Sequence, residues 1–177
     1  VTANYVGVRN ATFTVYRSLS DLKDLIDSST TGEITLDGDY TYNDVFDATF
    51  DHITTMRSVT INGNGYTICG QDKVTLFLVQ NGYSLTLNNL TICHFNNSDA
   101  NDGEGGAIYV NSGSTLIANY VNFTDNTALY KGGAIYNKGT VIVNHTVFDS
   151  NNITKTDGRN TDFYGGAAIY NLDGTLS

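Results

Sequence analysis

Short runs of alternating apolar and polar residues recur along this chain at a near-constant interval. Ile34-Thr35-Leu36-Asp37, Val59-Thr60-Ile61-Asn62, Leu85-Thr86-Leu87-Asn88, Leu116-Ile117-Ala118-Asn119 and Val141-Ile142-Val143-Asn144 share one pattern. Each is apolar, then Thr or Ile, then apolar, then Asn or Asp. Their first residues lie 25, 26, 31 and 25 positions apart. Alternation with a period of two marks β-strands with one buried face. Two further elements keep step with these runs. Gly105-Gly106-Ala107-Ile108-Tyr109 returns as Gly132-Gly133-Ala134-Ile135-Tyr136, and again as Gly165-Gly166-Ala167-Ala168-Ile169-Tyr170, which reads as a copy with one extra Ala. Phe123-Thr124-Asp125-Asn126 returns as Phe148-Asp149-Ser150-Asn151, with Ile92 in the Phe position one repeat earlier.

A repeat of about 25 residues with short strands and no helix cannot close its own hydrophobic face. Stacking closes it: each repeat becomes one coil, and its strands pair in parallel with the coils on either side. The Leu spacing of leucine-rich repeats is missing, and propeller blades need about 40 residues. The fold expected is all-β, a right-handed single-stranded parallel β-helix. In it, Val141 and Val143 and their equivalents point inward, and Asn62, Asn88, Asn119 and Asn144 stack at one corner. Phe123, Phe148 and Ile92 form an internal ladder. Loop length varies only between the Phe-x-x-Asn and the Gly-Gly, so the loops should emerge along one edge.

Residues 1–30 break the pattern. Ala11 to Tyr16 reads as a strand. Ser20 to Asp27 reads as a short amphipathic helix, with Leu22, Leu25 and Ile26 on one face and Ser20 as its N-cap. This segment is the expected N-terminal cap, with the coils running over 31–177. Gly174-Thr175-Leu176 matches Gly139-Thr140-Val141, so the chain stops as a new strand begins. More solenoid or another domain is expected to follow in the full protein.

Composition agrees and narrows the function. The 177 residues include 21 Asn, 24 Thr, 12 Tyr and 18 Gly but no Pro or Trp, which disfavours a helical bundle. A net charge of −9 repels phosphate backbones, so no nucleic-acid partner is expected. No run approaches the roughly 20 apolar residues of a membrane-spanning helix. Low Lys with high Asn, Thr and Tyr suits an extracellular surface. Sequons at Asn10, Asn89, Asn96, Asn122, Asn144 and Asn152 are N-glycosylation candidates, although several would arise by chance in so Asn- and Thr-rich a chain.

Gly-Gly-Ala-Ile with Phe-x-x-Asn resembles the repeat of the chlamydial polymorphic outer-membrane proteins. Asn-Gly-Asn-Gly-Tyr-Thr-Ile (Asn62 to Ile68) and Leu-Thr-Leu-Asn-Asn-Leu-Thr-Ile (Leu85 to Ile92) add a similarity to archaeal adhesin-like proteins of methanogens. The resemblance implies a secreted, surface-displayed right-handed β-helix that contacts other cells' glycans or proteins. It brings no catalytic residue and no cofactor. The alternatives are a structural stalk or surface-layer module that associates through its coil ends, and a polysaccharide-active β-helix enzyme. The enzyme reading is weak. Gly70-Gln71-Asp72 and Asn160-Thr161-Asp162 stand in the wrong order for polygalacturonases. Only four Arg are present, and His52, His94 and His145 occupy different repeat positions.

The residue-level candidates are few. If Ile108, Ile135 and Ile169 point inward, Tyr109, Tyr136 and Tyr170 stack on the outside. There they either bind sugars and proteins or stabilise the sheet. Cys69 and Cys93 lie 24 residues apart, about one coil, as neighbours that form either a disulfide or two separate thiols. Asp99, Asp102 and Glu104 concentrate oxygen ligands in one loop. Gly103 falls where an EF-hand needs a ligand, so a solvated acidic loop is the default and no metal is expected.

Overall fold

The computed structural model describes residues 15–100, 103–155 and 165–177. In chain order its first elements are α1 (Leu19–Ser28), β1 (Glu33–Thr35), β2 (Tyr40–Thr41), β3 (Ile53–Thr55), β4 (Val59–Asn62), β5 (Thr67–Cys69) and β6 (Phe77–Val79). Then come β7 (Ser84–Cys93), β8 (Asn96–Asn97), β9 (Ile108–Val110), β10 (Thr115–Thr124), β11 (Thr127–Ala128) and β12 (Ile135–Asn137). The last are β13 (Thr140–Asn144), β14 (Val147–Asp149), β15 (Asn152–Ile153), β16 (Ile169–Asn171) and β17 (Thr175–Leu176).

The alternating tetrads become one stack, β1-β4-β7-β10-β13-β17. Around a corner, β2, β5, the second halves of β7 and β10, and β14 continue the same sheet. β8, β11 and β15 form a short third face, and β3-β6-β9-β12-β16 carries the chain back. All pairings between these strands are parallel. A chain that visits the same faces in the same order, pairing each time with the turn before, is a parallel β-helix.

The corner follows from backbone conformation. Asn89, Tyr120 and His145 take φ of 50°, 56° and 50°, and turn each coil just after the stacked Asn. Inward residues then stack rung on rung. Ile34, Ile61, Leu87, Ala118 and Val143 are successive register partners. So are Tyr40, Ile68, Ile92, Phe123 and Phe148, with the two Phe rings 5.0 Å apart and 4° from parallel. These columns, with those of Leu85, Leu116 and Val141 and of Phe77, Ile108 and Ile135, build the core.

The tetrad asparagines do form a ladder. Asn88 Nδ2 donates to Asn62 Oδ1 at 3.0 Å, Asn119 to Asn88 at 2.9 Å and Asn144 to Asn119 at 2.8 Å. The bonds run from amide to amide on the outside. The asparagines that hold the coil backbones together are those of the Phe-x-x-Asn element. Asn126 is fully buried. Its Oδ1 accepts from Phe95 N–H at 3.1 Å, and its Nδ2 donates to Ile92 C=O at 3.0 Å and Asn151 Oδ1 at 2.9 Å. Asn151 repeats the contact one coil on, donating to Phe123 C=O at 2.9 Å.

The third Gly-Gly copy corrects the expectation of an extra Ala. Gly165 is bridged to Lys131, which is bridged to Glu104, so it stands one place before the motif. Gly166 takes φ +62°, as Gly105 (+71°) and Gly132 (+64°) do. Ile169 and Tyr170 stay in register with Ile135 and Tyr136. Ala167 therefore replaces the second Gly, and nothing is inserted.

The helix begins at Leu19, one residue before the expected span, and its N-cap is Ser18, two residues before the expected Ser20. Ser18 Oγ accepts from Asp21 N–H at 3.1 Å, and the Asp21 carboxylate accepts from Ser18 N–H at 2.7 Å, a reciprocal capping box. Ser20 instead donates its hydroxyl to Phe46 C=O. Leu19, Leu22 and Ile26 join the core, and Leu25 packs at its margin. Residues 11–14 of the expected strand lie outside the described residues, and Val15 and Tyr16 are in no strand. At the other end of the helix, the Arg57 guanidinium donates to Ile26 C=O, which complements the helix dipole.

Asp47 fastens this helix to the first coil. Its buried carboxylate accepts from Leu19 N–H at 3.1 Å, Ser20 N–H at 2.8 Å and Asn43 N–H at 2.8 Å. Asp47→Ala leaves these donors unpaired at a positive helix end, so stability should fall by about 2 kcal/mol. Urea unfolding measures it, and an unchanged midpoint would show that the cap is not held by this carboxylate.

Candidate functional site

The loops of variable length leave the solenoid between the β8-β11-β15 face and the Gly-Gly strands. There the loop over residues 97–104, with Asp51 and His52 before β3, walls a trough over the outer side of β6 and β9. One hollow of about 360 Å³ is lined by Asp51, His52, Thr75, Phe77, Leu78, Asn97, Asp99, Glu104, Tyr109 and Asn111. A second, shallower one shares Asp51, Thr75, Asn97 and Asp99 with it, so the two are continuous. Each wall has a local cause. Asp51 and His52 precede β3 and pair with each other, His52 Nδ1 to Asp51 Oδ2 at 2.9 Å. Asn97 donates to Glu104 C=O at 3.0 Å, which closes the loop carrying Asp99. The floor comes from strand alternation: Leu78 and Tyr109 are register partners on the outward side of β6 and β9.

The tyrosines stack as the repeat requires. Tyr109 and Tyr136 rings are 4.9 Å apart, and Tyr136 and Tyr170 are 5.6 Å apart and 3° from parallel. The ladder is not uniformly open. Tyr136 is only 2% exposed, whereas Tyr109 and Tyr170 are half-buried. Burial, with the Glu104 carboxylate alongside, pushes the Tyr136 phenol well above the usual tyrosine range. Lys131 lies 3.6 Å from Glu104 and 5.0 Å from the Tyr170 ring centre. The middle ring is therefore covered, and Tyr109 is the member that reaches the trough.

Of the acidic loop, Asp99 and Glu104 line the trough, and Asp102 lies outside the described residues. Among the described residues, no three His, Cys, Asp or Glu side chains converge to hold a metal ion. Cys69 and Cys93 are register partners on β5 and β7 and carry free thiols. Of the sequons, Asn89, Asn122, Asn144 and Asn152 are exposed, and Asn96 is half-buried. The Asn96 amide donates to Asp72 C=O and the Asn144 amide to Asn119. Asn10 lies outside the described residues. Among the described residues no helix is long and apolar enough to cross a membrane.

The trough was not foreseen from sequence. Asp51, His52 and Asn111 carry no repeat signal, because they come from the connections between strands, and Asn97 stands on β8 opposite Ala128, so its residue type does not recur. One further feature was also missed. Tyr120 is 60% exposed and stacks on His145 at 4.7 Å and 8°, on the corner formed by the left-handed residues. Equal spacing after the tetrad asparagine was its only trace in the sequence.

Residues 120–138 match the Chlamydia polymorphic membrane protein repeat. The stretch runs from Tyr120 through Phe123-Thr124-Asp125-Asn126 and Gly132-Gly133-Ala134-Ile135-Tyr136 to Lys138. It holds the buried Asn126 and the second Gly-Gly pair, the parts of the coil that the fold constrains most. No curated protein and no solved structure matches the chain.

Proposed function

We propose that this chain is a non-catalytic, surface-displayed adhesin-like β-helix that contacts glycans of other cells through the trough. The observation that carries the reading is the composition of that trough. Carboxylates of Asp51 and Asp99 and amides of Asn97 and Asn111 surround the Tyr109 ring and Leu78. Such a set offers acceptors and donors for sugar hydroxyls beside a flat apolar face for the sugar ring. The walls stand on a stacked β-scaffold, so they are preorganised. The match at residues 120–138 supports a place on a cell surface.

Glycan-array binding of the purified chain tests this reading. Tyr109→Ala should weaken the best ligand about tenfold, roughly 1.4 kcal/mol, while Tyr120→Ala on the distant corner should leave it unchanged. Absence of any retained glycan, or equal binding by the Tyr109 variant, leaves a structural stalk as the better reading. Release of reducing ends or unsaturated sugars from polysaccharides would overturn the non-catalytic assignment.

A further inference from the structure

Just before the next corner, where His94 and Asp125 take φ of 52° and 54°, the outward residues of successive coils form a column, Thr41, Cys69, Cys93 and Thr124. The two cysteines are direct register partners and point to the same side of the sheet. Neighbouring strands lie about 4.8 Å apart, within the roughly 4.4–6.8 Å that a disulfide spans between Cα atoms. The register sets the two side chains next to each other on adjacent coils.

The pair is asymmetric. Cys69 is half-exposed and Cys93 is buried. The Cys93 S–H, then the Gln71 N–H and the nearby His94, favour a thiolate at Cys69 and draw its pKa below the usual thiol range. The same contact, together with burial and the negative charges of Asp125 and Asp72, pushes Cys93 up. His94 sits between those carboxylates, 3.4 Å from Asp72 and 3.9 Å from Asp125. An accessible stabilised thiolate next to a shielded thiol is unlike an inert core cysteine.

We infer that Cys69 and Cys93 form a thiol–disulfide exchange site on the outer face of the solenoid, taking a small-molecule disulfide such as oxidised glutathione as its oxidant. The Cys69 thiolate attacks one sulfur of the disulfide, forming a mixed disulfide and releasing one thiolate. Cys93 then loses its proton to solvent and attacks the Cys69 sulfur, releasing the second. The protein dithiol gives up two electrons, the small disulfide is reduced to two thiols, and a Cys69–Cys93 bond remains. That bond clasps two adjacent coils.

The test uses the reduced full chain with oxidised glutathione, followed by alkylation and peptide mass spectrometry. Trypsin cuts after Arg57, Lys73 and Lys131, which puts the two cysteines on separate peptides, 58–73 and 74–131. Wild-type protein should lose both free thiols and yield these peptides linked within a monomer. Cys93→Ser should stop at a glutathione adduct on Cys69. Cys69→Ser should react at Cys93 about tenfold more slowly or less. Only intermolecular links or separate adducts in the wild type would overturn the inference, as would equal rates in the two variants. The wild-type readout decides by itself if a variant does not fold.

Discussion

Gly106→Ala should lower the stability of this protein by about 3 kcal/mol or more, a large share of the roughly 5–15 kcal/mol that holds a domain together. A methyl group at Gly106 would lie 2.0 Å from Gly133 C=O and 2.3 Å from Thr127 C=O. Both obstacles are backbone, so no rotamer change relieves them, and the coils must separate. Gly106 does not have positive φ, so the cost is one of close approach between turns. Gly82 supplies the control. Its φ is +87° and nothing lies within 4 Å of an added methyl. Gly82→Ala should therefore cost about 1 kcal/mol, from conformation alone. Chemical unfolding of both variants separates the terms. A Gly106→Ala midpoint no lower than that of Gly82→Ala would mean that the Gly-Gly motif is not a spacing device. Ala167 stands at the second Gly position of the third copy.

Asn126→Ala should cost about 3 kcal/mol, because it strands Phe95 N–H in the core, takes a donor from Ile92 C=O and leaves the Asn151 amide oxygen only the backbone N–H of residue 126. Asn119→Ala is the comparison. Asn119 also bonds two neighbours, but through amides on the outer ladder that water can replace. Its loss should cost about 1 kcal/mol. Equal losses would show that the two ladders are equivalent and that burial of the Phe-x-x-Asn asparagine adds nothing. Placed inside the stretch that matches the membrane-protein repeat, Asn126 explains why Phe-x-x-Asn and Gly-Gly travel together. The asparagine ties a coil to the one before, and the glycine lets the next come close.

Most of the fold was legible because a solenoid writes each contact twice. A strand whose every second residue is apolar has one inward face, and its copy about 25 residues later is its partner. Residues such as Ile61, Leu87 and Ala118 could therefore be placed, register included, from spacing alone. The helix start was missed because Ser18 and Ser20 each stand within two residues of an apolar helix position, Leu19 and Leu22. Only the reciprocal bonds with Asp21, and the hold of Asp47 from outside the helix, select Ser18. The third Gly-Gly was misread because a run of two Gly and two Ala can be aligned in two ways. Backbone pairing to Lys131 and the positive φ of Gly166 choose between them.

By itself the sequence determined the repeating strands, their stacking order, the asparagine and tyrosine columns and the nearness of Cys69 to Cys93, all consequences of a short period. Tertiary structure alone decided which outward residues are accessible. Tyr136 is sealed beside Glu104 and Lys131 while Tyr109 reaches the trough, and Cys93 is covered while Cys69 is half-open. The physical reason is that inward positions always meet the same neighbour, the next coil. Outward positions meet whatever loop crosses them, and those loops do not repeat.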